Sequence, residues 1–253
     1  MFRALVTFFV SALIVLLVSI PGLIIGLVYP ARWVADWSSF LWSRAILWVS
    51  SVALLIEGSE HICRGPEPAF YVGNHQSALD IPMLVVALRG RVRFLAKKSL
   101  FRIPVFGWLL SLYSYVPIDR ANPRKTLKSL ERMLELVEQR SVSPVVFPEG
   151  TRSPDGRLLP FRKGAMKICQ RAGLTIVPFA IHGSGAVHRT GEFRIRPGEI
   201  RVSFSEPIPA DDVKAMSSSD LHDRVRASIE HTFRRLREKE TAGGADVESS
   251  EVD

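Results

Sequence analysis

A histidine and an aspartate lie five positions apart in the stretch 73–80, whose sequence is GNHQSALD. Imidazole is the side chain best matched to proton transfer at neutral pH. A carboxylate that accepts the Nδ1–H of His75 would fix the tautomer and leave Nε2 able to take a proton, as in a Ser-His-Asp triad. The two side chains can meet if His75 lies in a loop and Asp80 lies in or near the first turn of the next helix. No Ser or Cys is obviously paired with them, so the activated hydroxyl could belong to a substrate.

A lone His-x4-Asp pair is a weak indication of a site, because function requires several polar groups that converge. Three further polar stretches each follow an apolar run that is typical of a strand. They begin at Lys97, at residues 119–120 and at residues 149–153. Ligands of open α/β sheets bind beyond the carboxyl ends of the strands, so we expect these stretches to converge near His75.

The residue types in these stretches suit a phosphate-bearing ligand. Lys97, Arg120 and Arg152 would form a cationic cluster, since Arg offers a planar fork of donors and Lys a point charge. Gly150 would allow close approach of the backbone, and Glu149 could accept a hydrogen bond from a glycerol-like hydroxyl. Taken singly, each also has an ordinary interpretation. Arg120 can pair with the preceding aspartate, Glu149 can cap a helix, and Lys97 can be solvated.

The elements that would position these residues begin near residue 60, where short β-type runs alternate with helical segments. This pattern predicts an α/β fold with a mixed central sheet flanked by helices, over residues 59–240. The expected strands are 70–72, 92–96, 115–118, 145–147, 175–181 and 199–204, and the expected helices are 81–88, 103–111, 123–140, 163–172 and 220–239. In the helix 123–140, Leu127, Leu130, Leu134 and Val137 predict one apolar face. Residues 241–253 are predicted to be a disordered acidic tail.

The first 58 residues predict a membrane-anchoring hydrophobic helical hairpin. No charged residue lies between Arg3 and Arg32, and the run 5–28 is long enough to cross a bilayer. A second apolar stretch, 33–56, contains four tryptophans together with Asp36 and Arg44, which favours a helix against the membrane over a second span. A signal peptide is the competing interpretation, but its apolar region would be shorter, so we favour a retained anchor.

The composition favours a membrane surface over nucleic acid as the anionic partner. The chain has a formal net charge of +8, and 47% of its residues are hydrophobic. It contains no zinc-finger spacing and no aromatic-basic RNA-binding signature. Its two cysteines, Cys63 and Cys169, belong to no metal or redox motif, which indicates a reducing environment. The arginines of the helix 220–239 could contact anionic lipid, but a solvated face explains them equally well.

Four ordered blocks carry a family resemblance: NHQSALD at 74–80, IDR at 118–120, FPEGTRS at 147–153 and IVP at 176–178. Together they resemble the glycerolipid acyltransferase family, and within it the 1-acylglycerol-3-phosphate O-acyltransferases. The resemblance implies that His75 is the general base and Asp80 its orienting partner. It also implies that Arg120 lies near the substrate phosphate. The residues that it places in the acceptor site are Glu149, Gly150, Thr151 and Arg152.

The expected activity is transfer of a fatty acyl group from an acyl thioester to the sn-2 hydroxyl of 1-acylglycerol-3-phosphate, giving phosphatidic acid in phospholipid biosynthesis. The co-substrate would be acyl-coenzyme A or acyl carrier protein, with no cofactor and no metal. The enzyme would sit at the cell membrane with its active site on the cytoplasmic face. The alternatives are another lysolipid acceptor such as a lyso-ornithine lipid, a non-catalytic membrane-anchored lipid-binding protein, and a metal-dependent hydrolase in which His182 or His188 adds a ligand.

Overall fold

The computed structural model describes residues 13, 17, 20–22, 24, 25, 28, 32–119, 123–140, 142–192 and 194–248. Most of the predicted first hydrophobic helix therefore lies outside the described residues, as does Arg120. In the part of the chain that is described, no helix combines the length and the apolarity needed to cross a membrane.

The described chain forms a seven-stranded mixed sheet. Its strands are β1 (Val52–Glu57), β2 (Phe70–Gly73), β3 (Val92–Lys97), β4 (Val116–Ile118), β5 (Ser143–Val146), β6 (Ile176–His182) and β7 (Gly198–Phe204). Their order across the sheet is β1-β7-β6-β2-β5-β3-β4. Only the β6–β7 pair is antiparallel among these neighbours. The predicted fold class, an α/β domain with a mixed sheet, is confirmed.

Helices cover both faces of the sheet. They are α1 (Arg32–Val49), α2 (Asp80–Ala87), α3 (Phe106–Leu112), α4 (Pro123–Arg140), α5 (Lys163–Ala172), α6 (Ser184–Val187), α7 (Ala210–Ala215) and α8 (Ser218–Glu248). In β2, Tyr71 packs with the core formed by α1, α2 and α3, whereas Phe70 and Val72 pack with the core formed by α5 and α8. Both faces of the strand are buried, so its apolar run is continuous rather than alternating.

The structure contains one strand that the sequence did not predict. β1 begins within the apolar stretch 33–56 and pairs in parallel with β7 along its whole length. The sheet thus begins before residue 59, within the range predicted as anchor. A short apolar run shows no clear period, so its residues alone do not distinguish a strand from a helix. In this chain the strand also follows a helix after only two residues, Ser50 and Ser51, and the two elements form one apolar stretch in the sequence.

Two helices differ from their predicted form. α4 has the predicted bounds, but Leu127 is 48% exposed and the buried face runs instead through Leu130, Met133 and Val137. α8 continues to Glu248, inside the predicted disordered tail, since an established helix gains one hydrogen bond for each added residue.

The basic residues of α8 are largely used within the fold. Arg226 pairs with Glu230, and Arg224 pairs with Asp212. Arg235 and Lys239 both reach Glu57 at the end of β1. The structure thus gives these cations intramolecular partners. This favours an ordinary solvated helix face over a face that contacts anionic lipid.

A buried ion pair joins α1 to the sheet. Arg93 is 2% exposed and donates to Asp36 Oδ1 at 2.8 Å, as well as to the backbone carbonyls of Gly90 and Tyr113. A buried guanidinium is tolerated only when its donors are satisfied. The pair therefore holds α1 against the α/β domain.

Candidate active site

The loop after β2 is held in place by hydrogen bonds to a neighbouring strand. At the end of β2, Gly73 lies so close to Phe179 of β6 that a Cβ atom would collide with it. The side-chain amide of Asn74 then donates to the carbonyl of Ile181 at 2.9 Å and accepts from its N–H at 2.7 Å. Asn74 thus takes the place of a further residue pair in the β2–β6 ladder and fixes where the next residue begins.

The predicted contact between His75 and Asp80 is present. Asp80 Oδ2 lies 2.7 Å from His75 Nδ1 and also accepts the backbone N–H groups of Gln76 at 2.7 Å and Ser77 at 2.9 Å. Asp80 is the first residue of α2 and is completely buried. One carboxylate therefore both closes the loop and orients the imidazole, with Nδ1–H donated to it and the lone pair on Nε2.

The third polar stretch packs directly on the His75 loop. The ring of Phe147 stacks on the imidazole, with centroids 4.1 Å apart and planes 11° apart. The N–H of Ser153 donates to the carbonyl of His75 at 2.8 Å. Phe147 was part of the quoted motif but had no predicted role, because a ring contact between two loops leaves no local pattern in the sequence.

A largely apolar cavity of about 520 Å³ opens beside the imidazole. His75, Lys97 and Arg152 line it together, and its other walls come mainly from α1, α2 and α3. Neither Lys97 nor Arg152 has an ion-pair partner among the described residues. The structure therefore brings the base and two cations, neither paired with a described carboxylate, to one apolar cavity.

The other predicted site residues have different positions. Gly150 has φ 70°, a conformation that favours glycine, and its α-carbon faces the guanidinium of Arg162. Thr151 is exposed and is not part of the cavity wall. Arg120 lies outside the described residues.

Glu149 is buried rather than open to the cavity. It is 3% exposed, and neither carboxyl oxygen has a hydrogen-bond partner of normal geometry within the described structure. Burial raises the pKa of Glu149 to about 8, and the charge of Asp80 adds to the rise, while the backbone amides of Leu159 and His75 and the charge of Arg226 partly offset it. A carboxyl group with this pKa is mainly neutral at pH 7, and Glu149 is not among the residues that line the His75 cavity.

The two histidines considered as metal ligands have other partners. His188 Nδ1 lies 3.1 Å from Ser77 Oγ, and His188 Nε2 lies 2.9 Å from the carbonyl oxygen of Glu192. His182 pairs with Glu240. No group of three or more His, Cys, Asp or Glu side chains suited to a metal occurs among the described residues.

Comparisons with protein families and with known proteins both identify acyltransferases as similar to this chain. A family model described as Acyltransferase matches residues 54–182, which includes the His75 loop and the FPEGTRS stretch. A 1-acyl-sn-glycerol-3-phosphate acyltransferase from Limnanthes douglasii is 35% identical over 210 residues, covering 81% of this chain and 73% of that protein.

Two further proteins are similar to this chain, one in sequence and one in structure. The chloroplastic 1-acyl-sn-glycerol-3-phosphate acyltransferase BAT2 from Brassica napus is 42% identical over 154 residues, covering 60% of this chain but only 44% of the relative. The crystal structure of the 1-acyl-sn-glycerophosphate (LPA) acyltransferase PlsC from Thermotoga maritima superposes with a TM-score of 0.80 at 25% identity, covering 93% of this chain and 95% of that one.

Proposed function

The chain belongs to the acyltransferase family, and from this we propose that it transfers a fatty acyl group from a thioester to the sn-2 hydroxyl of 1-acylglycerol-3-phosphate. The observation that carries the proposal is the His75–Asp80 pair in the wall of an apolar cavity that also contains Lys97 and Arg152. A base, a phosphate-binding charge and room for a hydrocarbon chain are the three features that this reaction requires.

His75 acts as the general base. Its Nε2 removes the proton of the sn-2 hydroxyl as that oxygen attacks the thioester carbonyl carbon, and the C–O bond forms to give a tetrahedral oxyanion. The carboxylate of Asp80 stabilises the imidazolium that results. The oxyanion then collapses, the C–S bond breaks, and the thiolate takes the proton from His75. No acyl-enzyme is required, in keeping with the substrate hydroxyl as nucleophile.

Lys97 and Arg152 bind the acceptor phosphate in this proposal. Their positive charges lie at the cavity that holds the base, and neither is neutralised by a described carboxylate. Arg152 can form a bidentate contact with phosphate oxygens, whereas Lys97 adds a mobile point charge. The donor is a thioester of coenzyme A or of acyl carrier protein, whose chain enters the apolar part of the cavity.

The outer face of α1 supports a position at a membrane surface, and we place the active site on the cytoplasmic face of the cell membrane as part of the proposal. Trp33, Trp37, Leu41 and Trp48 are 44–80% exposed, and their spacing places them on one side of the helix. The opposite side is buried against the domain and contains both apolar residues, such as Ala35 and Leu47, and Ser39 and Ser43. The exposed tryptophans therefore form an apolar surface that the described part of the fold does not cover. Tryptophans suit the headgroup region, and a helix of this kind lies in the interface plane. With the hydrophobic stretch 5–28, it forms the proposed anchor.

The test is an assay of purified protein with a panel of lysolipids, using acyl-coenzyme A and acyl carrier protein thioesters in parallel. We expect 1-acylglycerol-3-phosphate to be the best acceptor and His75→Ala to lower turnover by roughly 10²–10⁴-fold. A higher rate with a lyso-ornithine lipid would show that this lipid, and not 1-acylglycerol-3-phosphate, is the preferred acceptor. Absence of turnover with every acceptor, together with lipid binding, would favour a non-catalytic lipid-binding protein.

A further inference from the structure

A second apolar groove, of about 360 Å³, lies between α4, α5 and the carboxyl ends of β3 and β5. Its walls include Leu127 and Leu130 of α4, Ile118 at the end of β4, and Ala165 of α5. It is distinct from the cavity that contains His75, and it has no role in the acyl transfer steps proposed above.

The groove and the His75 cavity are separated by shared walls. Phe94 and Leu95 of β3 line both of them. Phe147, which stacks on the imidazole, also lines the groove. The groove therefore shares a β3 wall with the His75 cavity and reaches the Phe147 ring that packs on the imidazole.

The groove contains an apolar side chain that the described fold leaves exposed to water. Leu127 belongs to the predicted apolar face of α4, yet it is 48% exposed because the buried face of the helix is turned toward Leu130 and Met133. An exposed leucine alone is ordinary, but here it faces a concave wall of apolar side chains. A hydrocarbon chain lying in this groove would remove Leu127 from water.

A cation at the same groove indicates what kind of ligand it suits. Arg162 lines the groove, is exposed, and has no ion-pair partner among the described residues. Its guanidinium lies over Gly150, where any side chain would displace it. Apolar walls beside a cation that pairs with no described carboxylate complement an amphiphile whose anionic head lies close to the groove.

We propose that this groove binds the existing sn-1 acyl chain of the acceptor lysophosphatidic acid. The inference rests on the proposed function, in which two hydrocarbon chains must reach His75 at the same time. The donor chain occupies the larger cavity, and the groove offers the acceptor chain a second apolar space that reaches Phe147, the ring stacked on His75. The sn-1 carbon is bonded to the carbon that bears the attacking hydroxyl, so a chain in the groove keeps that hydroxyl near Phe147 and the imidazole.

The loop from Gly150 to Arg152 lies under the glycerol in this arrangement. Gly150 lines the groove and Arg152 lines the larger cavity, so a glycerol over this loop has its chain in the groove and its phosphate at the loop itself, next to Arg152. Arg162 adds positive charge on the groove side.

The experiment compares Leu127→Trp with Lys128→Trp in the full-length protein. The first places an indole in the groove, whereas the second places the same ring at the next, exposed position of α4, outside the groove wall. Each variant is assayed with 1-acylglycerol-3-phosphates from octanoyl to stearoyl at a fixed donor, and with donors of the same range at a fixed acceptor.

We expect Leu127→Trp to lower kcat/KM for the long-chain acceptors by roughly tenfold relative to the octanoyl acceptor. The donor-length profile should keep its wild-type shape, and Lys128→Trp should match the wild type in both series. Leu127→Ala, which removes groove contacts from an exposed helix position, should raise KM for the long-chain acceptors and serves if the tryptophan variant folds poorly.

A change in the donor profile instead of the acceptor profile would overturn the proposal, as would unchanged profiles for both folded Leu127 variants. These outcomes differ from failure of the proposed function, in which the wild-type protein itself does not acylate any 1-acylglycerol-3-phosphate.

Discussion

Replacing Asp80 by Asn tests whether the carboxylate stabilises charge on His75 or only shapes the loop. The Asn side chain has nearly the same size, and its amide oxygen can still accept the N–H groups of Gln76 and Ser77. The change removes the negative charge beside the imidazole and places an NH2 group at Oδ1, an atom without a hydrogen-bond partner in the described structure. The variant therefore separates electrostatic stabilisation from loop geometry.

The size of the effect follows from the distance between the charges. His75 Nδ1 and Asp80 Oδ2 are 2.7 Å apart, which places the centres of charge of the imidazolium and the carboxylate about 4 Å apart. At an effective dielectric constant of about 20, their attraction is about 4 kcal/mol. Each 1.36 kcal/mol in the barrier corresponds to about tenfold in rate, so kcat should fall by about a thousandfold.

The assay measures thiol release with 1-acylglycerol-3-phosphate and an acyl thioester at saturating concentrations, alongside urea unfolding of the same preparations. Asp80→Asn should keep the unfolding midpoint close to that of the wild type. Asp80→Ala, which leaves two buried N–H groups without an acceptor, should also lose about 2–4 kcal/mol of folding free energy. Turnover of folded Asp80→Asn within tenfold of wild type would refute the electrostatic role.

Three further changes follow from the same geometry. Arg152→Ala should raise KM for 1-acylglycerol-3-phosphate roughly 10–100-fold, from the loss of charge-assisted hydrogen bonds, with little effect on a phosphate-free monoacylglycerol. Folded wild type keeps the Glu149 proton up to a pKa of about 8, whereas the unfolded chain releases it near 4.5. The free energy of unfolding of the wild type should therefore decrease as the pH rises from about 4.5 to about 8, by at most about 1.4 kcal/mol per pH unit. In urea titrations, Glu149→Gln should lack this pH dependence. Asn74→Ala leaves the N–H and carbonyl of Ile181 unpaired and should cost roughly 2–4 kcal/mol of folding free energy in urea, a loss that Asn74→Asp would only partly share.

The elements with strong local patterns were predictable from the sequence. The helices 123–140 and 163–172 have their predicted bounds. In the first, a proline start and a regular apolar period define the helix locally. The buried strands near residues 70 and 176 were also found, since continuous apolar runs bounded by polar loops are typical of strands buried on both faces. β1 was missed because the apolar residues around it belong to one unbroken stretch.

The candidate site was predictable in its residue types but not in its contacts. The spacing of His75 and Asp80 is local, so a pairing across one loop could be inferred from the sequence. The burial of Glu149 depends on how the loop around Leu159 folds over it, and the stacking of Phe147 on His75 depends on the register of β2 with β5. Such contacts between distant segments leave no local pattern.

Helix α1 links the proposed membrane position to the proposed chemistry. Asp36 weakened the prediction of a second span, and the structure supplies the reason that the charge is present, since it pairs with the buried Arg93 of β3. The pair orients α1 so that Trp42 lines the His75 cavity while Trp37 and Trp48 are exposed. In the proposed membrane-bound state, one helix therefore has the bilayer on one side and the donor-chain cavity on the other. An acyl chain that gains about 0.8 kcal/mol per buried CH₂ would otherwise have to cross water to reach the base, and a cavity wall made by the interfacial helix removes that barrier.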